Sequence, residues 1–286
     1  IIDRIRNMKI CVIGTGTMGS GIVQAFAQAG VNVVMKGFNS NDLSFGERVL
    51  NKNIERLFEK NVITENEKNE ILKRVIPTID YKDCADCDLY IEAIVEKMEV
   101  KKELFSFLDT ICSPNAIYAS NTSSLSITEI ASSTNRPDKV VGMHFFNPAP
   151  IMKLVEVING QLTSKETENF VFELAKKIGK TPVIVNEAPG FVVNRILIPM
   201  INEAVAILAE GVASKEDIDN AMKLGSNHPM GPLALADLIG LDICLDIMEV
   251  LHKEFGEDKY RPHPLLRKMV RSKQLGRKTK SGFYQY

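Results

Sequence analysis

The sequence predicts an α/β chain in which a doubly wound, mostly parallel sheet with an inserted helical pair is followed by an all-α C-terminal domain. Three observations predict it. A short β-rich run, Lys9–Ile13, ends in Gly14-Thr15-Gly16-Thr17-Met18-Gly19 and leads into an Ala-rich helical stretch over 20–29 and a second strand over 31–35. Strand-like runs then alternate with helical ones. Beyond Asn186-Glu187-Ala188-Pro189-Gly190 every periodic segment reads as helix.

Each element follows from its pattern. In Gly14-x-Gly16-x-x-Gly19 the first glycine permits the turn, the second lets backbone approach a pyrophosphate, and the third lets helix pack on strand. Strand before and helix after make this a Rossmann-type dinucleotide site centred on Gly14, Gly16, Thr17, Met18 and Gly19. Gly30 stops the helix, and the second strand completes a βαβ unit of about 30 residues. The charged amphipathic segments 42–60 and 65–74 read as a helical pair, too polar to be core. Further strands are expected at 89–91, 116–119, 139–143 and 152–158, with a helix over 100–111. After the change of texture, helices are expected at 192–209, 215–224, 233–255 and 265–272. The division is a dinucleotide-binding domain over 8–187 and a helical substrate and dimerisation domain over 188–286. So small a helical domain has little room for its own core and is expected to pack on the first domain and on a second copy, as a homodimer. Residues 1–7, just ahead of Met8, read as an extension.

Composition narrows the function classes. Lys and Arg total 35 against 36 Asp and Glu, a net charge of −1, so no general attraction to nucleic acid or an anionic membrane surface is expected. No apolar run approaches the roughly 18 residues of a membrane span, and the N-terminus alternates in charge rather than following a signal-peptide pattern. A cytoplasmic protein is expected. Of five cysteines only Cys84 and Cys87 are suggestively spaced, and the four histidines are remote from them in sequence. They read as structural thiols, not as a metal site.

Two polar residues stand out in apolar settings. His144, in Gly142-Met143-His144-Phe145-Phe146-Asn147-Pro148, ends a predicted strand, where open α/β sheets place ligands. Strand alternation puts Glu156 on one face with Met152, Leu154 and Ile158, so it needs a buried partner. An antiparallel pairing would supply His144, whose tautomer the carboxylate would fix so that the other ring nitrogen can abstract a hydroxyl proton. Otherwise His144 is a satisfied core residue and Glu156 a surface ion pair on an edge strand. Asn121-Thr122-Ser123-Ser124 follows another strand at the same edge, where Ser124 or Ser126 can simply cap the next helix. Asn194 interrupts an apolar stripe of Phe191, Ile198, Ile201, Val205 and Leu208, either as an interdomain hydrogen bond or as a substrate ligand.

Gly14 to Gly21, Ser120-Asn121-Thr122-Ser123-Ser124-Leu125, 143–150, 188–195, His228-Pro229-Met230-Gly231-Pro232 and Gly282-Phe283-Tyr284 together resemble the L-3-hydroxyacyl-CoA dehydrogenase family over residues 8–286. The resemblance implies reversible oxidation of (S)-3-hydroxybutyryl-CoA to acetoacetyl-CoA with a nicotinamide cofactor. It implies His144 as general acid/base, Glu156 as its partner, and Ser123 and Asn194 as the groups holding the C3 oxygen. Glu96, Lys101, Asn121, Asn147 and Lys278 become cofactor contacts. Lys52, Arg56 and Lys60 recur every four residues; such a stripe is usually just solvated, but the family places its CoA-binding helices here, making Arg56 and Lys60 contacts for the nucleotide phosphates. A free-acid dehydrogenase with a lysine base and a catalytically silent relative are the rival readings, and the intact polar cluster speaks against the second.

One position departs from the usual pattern. An NAD site carries an acid at the end of the second strand, and here that place is Gly37. A glycine leaves room and removes a charge that would repel a 2'-phosphate, which Lys36, Asn39 and Ser40 would then bind. NADP(H) is therefore favoured over NAD(H), unless Asp42 takes the acid's place or NAD binds without it.

Overall fold

The computed structural model describes residues 8–286, and the extension read at 1–7 lies outside them. Two compact units emerge. One runs to Thr122 and resumes over Ser126–Glu187; the other comprises Ser123–Leu125 and Ala188–Tyr286.

The first unit is built on an eight-stranded sheet. The glycine loop joins β1 (Lys9–Ile13) to α1 (Thr17–Gln28), and β2 (Asn32–Lys36) pairs parallel with β1. The helical pair inserted next is α2 (Ser40–Glu59) and α3 (Glu65–Lys73). Asn39 begins α2 by accepting from the amides of Asn41 and Asp42, and a Thr64/Glu67 capping box begins α3. The pair is not wholly outside the core: Leu50, Ile54 and Ile71 are buried in the same apolar cluster as Val23 and Phe26 of α1. Then come β3 (Val75–Thr78), β4 (Leu89–Glu92), α4 (Met98–Ile111), β5 (Ile117–Ser120), α5 (Ile127–Ala131) and β6 (Val140–Phe145). Strand β7 (Leu154–Asn159) pairs antiparallel with β6, α6 (Lys165–Lys177) crosses over, and β8 (Thr181–Asn186) pairs parallel with β7, so the sheet order is β3-β2-β1-β4-β5-β6-β7-β8.

Both sheet edges were unexpected. β3 contains Pro77 and β8 contains Pro182, and each is largely exposed. Proline cannot donate to a ladder, so it argues against a central strand while suiting an edge, where it also discourages pairing with another chain. Helix α6 was likewise not anticipated, although Phe170, Val171, Leu174 and Ala175 carry helical spacing and are buried.

The second unit holds α7 (Val193–Ala209), α8 (Lys215–Gly225), α9 (Pro232–Ile239), α10 (Leu241–Phe255) and α11 (Pro264–Arg271). The single helix expected over 233–255 is two, because Gly240 adopts φ +109, a conformation open chiefly to glycine. The expectation of little room for a core is also corrected, since Ile198, Ile201, Val205, Leu233, Met248, Leu251 and Leu266 form an apolar cluster of this unit's own. Two buried acids fasten the C-terminus. Asp219 accepts from the amides of Leu233 and Ala234 and the hydroxyl of Tyr284, and Asp237 accepts from the amides of Phe283 and Tyr284. A Cβ at Gly282 would lie 1.9 Å from Asp237 Oδ1, which explains the glycine before this aromatic pair.

Candidate active site

The glycine loop has the shape its spacing requires. Gly14 has φ +104, and a Cβ there would stand 2.4 Å from the carbonyl oxygen of Ala93. A Cβ on Gly19 would stand 1.8 Å from Gly14 O, so the helix can sit this close only without a side chain. Gly16 is different: a Cβ there meets nothing within 4 Å, which leaves open space in front of the first turn of α1. With Thr17 exposed and Met18 half-buried in that turn, the loop fits a pyrophosphate held on backbone N–H groups.

The other end of the site comes from strand register. Met143, Phe145, Val155 and Val157 join the apolar core, so alternation turns His144 and Glu156 to the opposite face. Their Cα atoms are direct partners in the antiparallel ladder, and Nδ1 of His144 lies 2.8 Å from Oε2 of Glu156. Both are buried, at 4% and 1% exposure. With the carboxylate accepting, Nδ1 carries the proton, and Nε2 is the nitrogen suited to exchange one. The amide of the adjacent Phe145 donates to Oδ1 of Asn121 at 2.8 Å, which ties the loop after β5 to the histidine's strand.

The connection from His144 to Glu156 is clamped from two sides. Lys180, whose burial pushes its ammonium pKa down, donates to the carbonyls of Ala149 and Met152 at 2.6 and 2.8 Å. Opposite, Ala149 and Pro150 lie so near Gly21 of α1 that a methyl there would come within 3.3 Å of each. Asn147 stands exposed in this connection.

Lys101 is enclosed at 1% exposure, its ammonium 2.6 Å from Glu92 and 3.2 Å from Glu96. Only Glu96 of the three opens to solvent. Glu92 was missed by sequence reasoning, which ended the strand at Ile91; an acid closing an otherwise apolar strand at the ligand-bearing edge was the available signal. Breaking such a buried pair from one side costs about 3–5 kcal/mol.

Within the second unit Asn194 is 8% exposed and donates from Nδ2 to the backbone carbonyl of Ser123 at 3.1 Å. Lys278 is paired with Asp242. Helix α5 is capped by Ser126. Arg56 and Lys60 lie exposed at the end of α2.

The ribose end brings two corrections. Lys36 is only 2% exposed; its ammonium donates to the carbonyl of Gly37 at 2.7 Å and lies 4.0 Å over the ring of Tyr81, so it does not present a cation to a phosphate. Burial also pushes its pKa down. Nor does Gly37 leave room, because a Cβ would come within 2.9 Å of Leu43 Cβ and 3.0 Å of Leu43 N. The start of α2 occupies the place of the missing acid. Asn39 is committed to its cap through Oδ1, and it and Ser40 are exposed.

Among the described residues no group of three or more His, Cys, Asp or Glu is gathered as a metal would need, and no helix is long and apolar enough to cross a membrane. Cys84 and Cys87 are buried free thiols.

The family model described as "3-hydroxyacyl-CoA dehydrogenase, NAD binding domain" matches residues 9–188, and "3-hydroxyacyl-CoA dehydrogenase, C-terminal domain" matches 190–286. A 3-hydroxybutyryl-CoA dehydrogenase of Clostridioides difficile is 63% identical over 279 residues, covering 98% of this chain and 99% of the relative. A probable 3-hydroxybutyryl-CoA dehydrogenase of Bacillus subtilis is 55% identical, covering 97% of both chains. The crystal structure of (S)-3-hydroxybutyryl-CoA dehydrogenase from Ralstonia eutropha superposes with a TM-score of 0.94 at 49% identity, covering 97% of this chain and 98% of that one. With a nicotinamide-binding domain, a helical second half and near-complete matches along its length, this chain belongs to the 3-hydroxyacyl-CoA dehydrogenase family.

Proposed function

We propose that this chain interconverts (S)-3-hydroxybutyryl-CoA and acetoacetyl-CoA. The observation that carries the reading is the buried His144–Glu156 pair, 2.8 Å apart, on the same sheet edge as the glycine cradle. The names of the similar dehydrogenases support the substrate. When bound, the nicotinamide supplies the hydride chemistry at substrate C3. His144 Nε2 takes the C3 hydroxyl proton in oxidation and returns it in reduction, while Glu156 holds the ring and stabilises its protonated form. Ser123 and Asn194 hold the C3 oxygen; Glu96 and Asn147 hold the cofactor, Glu96 backed by Lys101, and Asn121 and Lys278 are further cofactor contacts. A homodimer formed through the helical domain fits the exposed Ile196 and Leu238 there, and five buried free thiols fit a cytoplasmic setting.

The test follows nicotinamide absorbance with acetoacetyl-CoA and with free acetoacetate. Turnover of the thioester and not of the free acid is expected. Replacing Arg56 and Lys60 together by glutamine should raise KM for acetoacetyl-CoA about threefold to tenfold at low salt, an effect that fades as salt screens exposed charge. Turnover of free acetoacetate alone would install the free-acid reading, turnover of neither the silent one, and an unmoved KM would remove Arg56 and Lys60 from the CoA site.

On the cofactor, we propose that NADP(H) is favoured over NAD(H). With Lys36 turned inward, the support is the absent carboxylate at Gly37 and the exposed Asn39 and Ser40. The margin is correspondingly small, about two- to tenfold in kcat/KM, or up to about 1.4 kcal/mol. Gly37→Asp is a poor probe because its Cβ collides with Leu43. Asn39→Asp keeps a helix cap and adds the charge, and should swing the ratio toward NADH. An NADH preference in the unmodified protein would overturn the proposal.

A further inference from the structure

We propose that Glu92 is a positioning residue that sets the cofactor side of the site, acting through Lys101 on Glu96 and through Ser120 on the loop leading to Ser123; this rests on the reading of Glu96 as a cofactor contact. The groups form a closed ring. Glu92 Oε1 accepts from Lys101 Nζ at 2.6 Å and from the amide of Ile94 at 2.8 Å. Lys101 Nζ is 3.2 Å from Glu96 Oε2, and the hydroxyl of Thr122 donates to the other oxygen of Glu96. The amide of Thr122 donates to Ser120 Oγ at 3.2 Å, and Ser120 Oγ donates to Glu92 Oε2 at 2.6 Å, closing the circuit. A branch reaches the acid/base pair, since the amide of Asn121 donates to the carbonyl of Glu92 at 2.8 Å while its side chain accepts from Phe145.

Burial decides the role. Glu92, Lys101, Ser120 and Thr122 are all enclosed, and the Glu92 side chain takes three donors at 1% exposure, so it is shut away from any ligand and acts only through its neighbours. A buried ion pair is weak as a stabilising device, because well-packed apolar residues often do as well. What this one does is orient: a single ammonium held between two carboxylates fixes the carboxylate that opens to solvent, and the shared serine links that orientation to the next loop. Ordering the cofactor's contact and the substrate-side loop in one network gives the two ligands a common support.

The experiment is a double-mutant cycle on cofactor binding, read by fluorescence titration of the intact protein with NADH and NADPH, with Tm recorded in parallel. Glu92→Gln should weaken binding about tenfold, and in the Glu96→Gln background it should add little, because its route to the cofactor is already cut. Ser120→Ala, which opens the ring from its uncharged side and spares the ion pair, should weaken binding about threefold and decides the case if Glu92→Gln does not fold. A lowered Tm with unchanged cofactor affinity, or effects of Glu92→Gln and Glu96→Gln that multiply independently, would overturn the proposal. Glu96→Gln with unchanged affinity would instead strike the reading of Glu96 on which it rests.

Discussion

Replacing His144 by glutamine is expected to lower kcat for acetoacetyl-CoA reduction by about 10²–10⁴-fold, the range that positioned acid/base catalysis contributes. Cofactor affinity should stay within about twofold, because the glycine cradle that would hold the pyrophosphate lies on a different loop. Glutamine suits the site: it is of similar length and can still donate to Glu156, so the buried carboxylate is not abandoned. The check is steady-state turnover together with fluorescence titration of the cofactor. A loss of less than about tenfold would deny His144 the proton-transfer role. A matching loss of cofactor affinity would show that the substitution had disturbed the sheet edge rather than removed a base.

That the pair was legible in the sequence at all comes from parity. Side chains alternate strictly along a strand, so knowing that Met152, Leu154 and Ile158 share a face with Glu156 already demanded a partner, and the twelve-residue separation allowed His144 to supply it. The glycine loop was legible because the strand before it and the helix after it give the triplet its context: the first and third glycines answer close backbone approaches, and the second leaves room for a ligand. What escaped depends on which way a side chain turns once the chain is packed. Lys36 sits where a phosphate-binding cation would, yet its stem folds back to Gly37 and Tyr81, and nothing in Val33-Val34-Met35-Lys36-Gly37 distinguishes the two orientations. The space that Gly37 implies is filled by Leu43 from the following helix. The resemblance names Lys101 as a cofactor contact without its buried partner, since Glu92 lies nine residues earlier on a different element and meets it only in the folded sheet. The edge strands were hidden by Pro77 and Pro182, residues that protect an edge and also erase its pattern.

The glycine loop offers the sharpest separation of folding from binding, because one methyl group should have opposite consequences at positions three residues apart. At Gly16 the backbone has φ −68 and ψ −171, which alanine adopts without strain, and the new Cβ meets nothing within 4 Å. Gly16→Ala should therefore fold with a loss of only about 0.5–1 kcal/mol, from alanine's poorer capping of α1. It should nevertheless cost cofactor affinity steeply, on the order of 100-fold, since the methyl fills the space a pyrophosphate needs and shields the N–H groups that would bind it. At Gly19 the Cβ would stand 1.8 Å from Gly14 O and 2.7 Å from its carbonyl carbon, and neither atom can move without shifting β1 or α1. Gly19→Ala should lose about 1–3 kcal/mol or more of stability as an overpacked core site, with binding weakened secondarily through the displaced helix. Thermal melts of the unliganded proteins, set beside titrations with NADH and NADPH, read both quantities. If Gly16→Ala bound cofactor normally, the pyrophosphate would not lie against this loop; if Gly19→Ala melted like the parent, the close approach of α1 to β1 would not be what the third glycine serves.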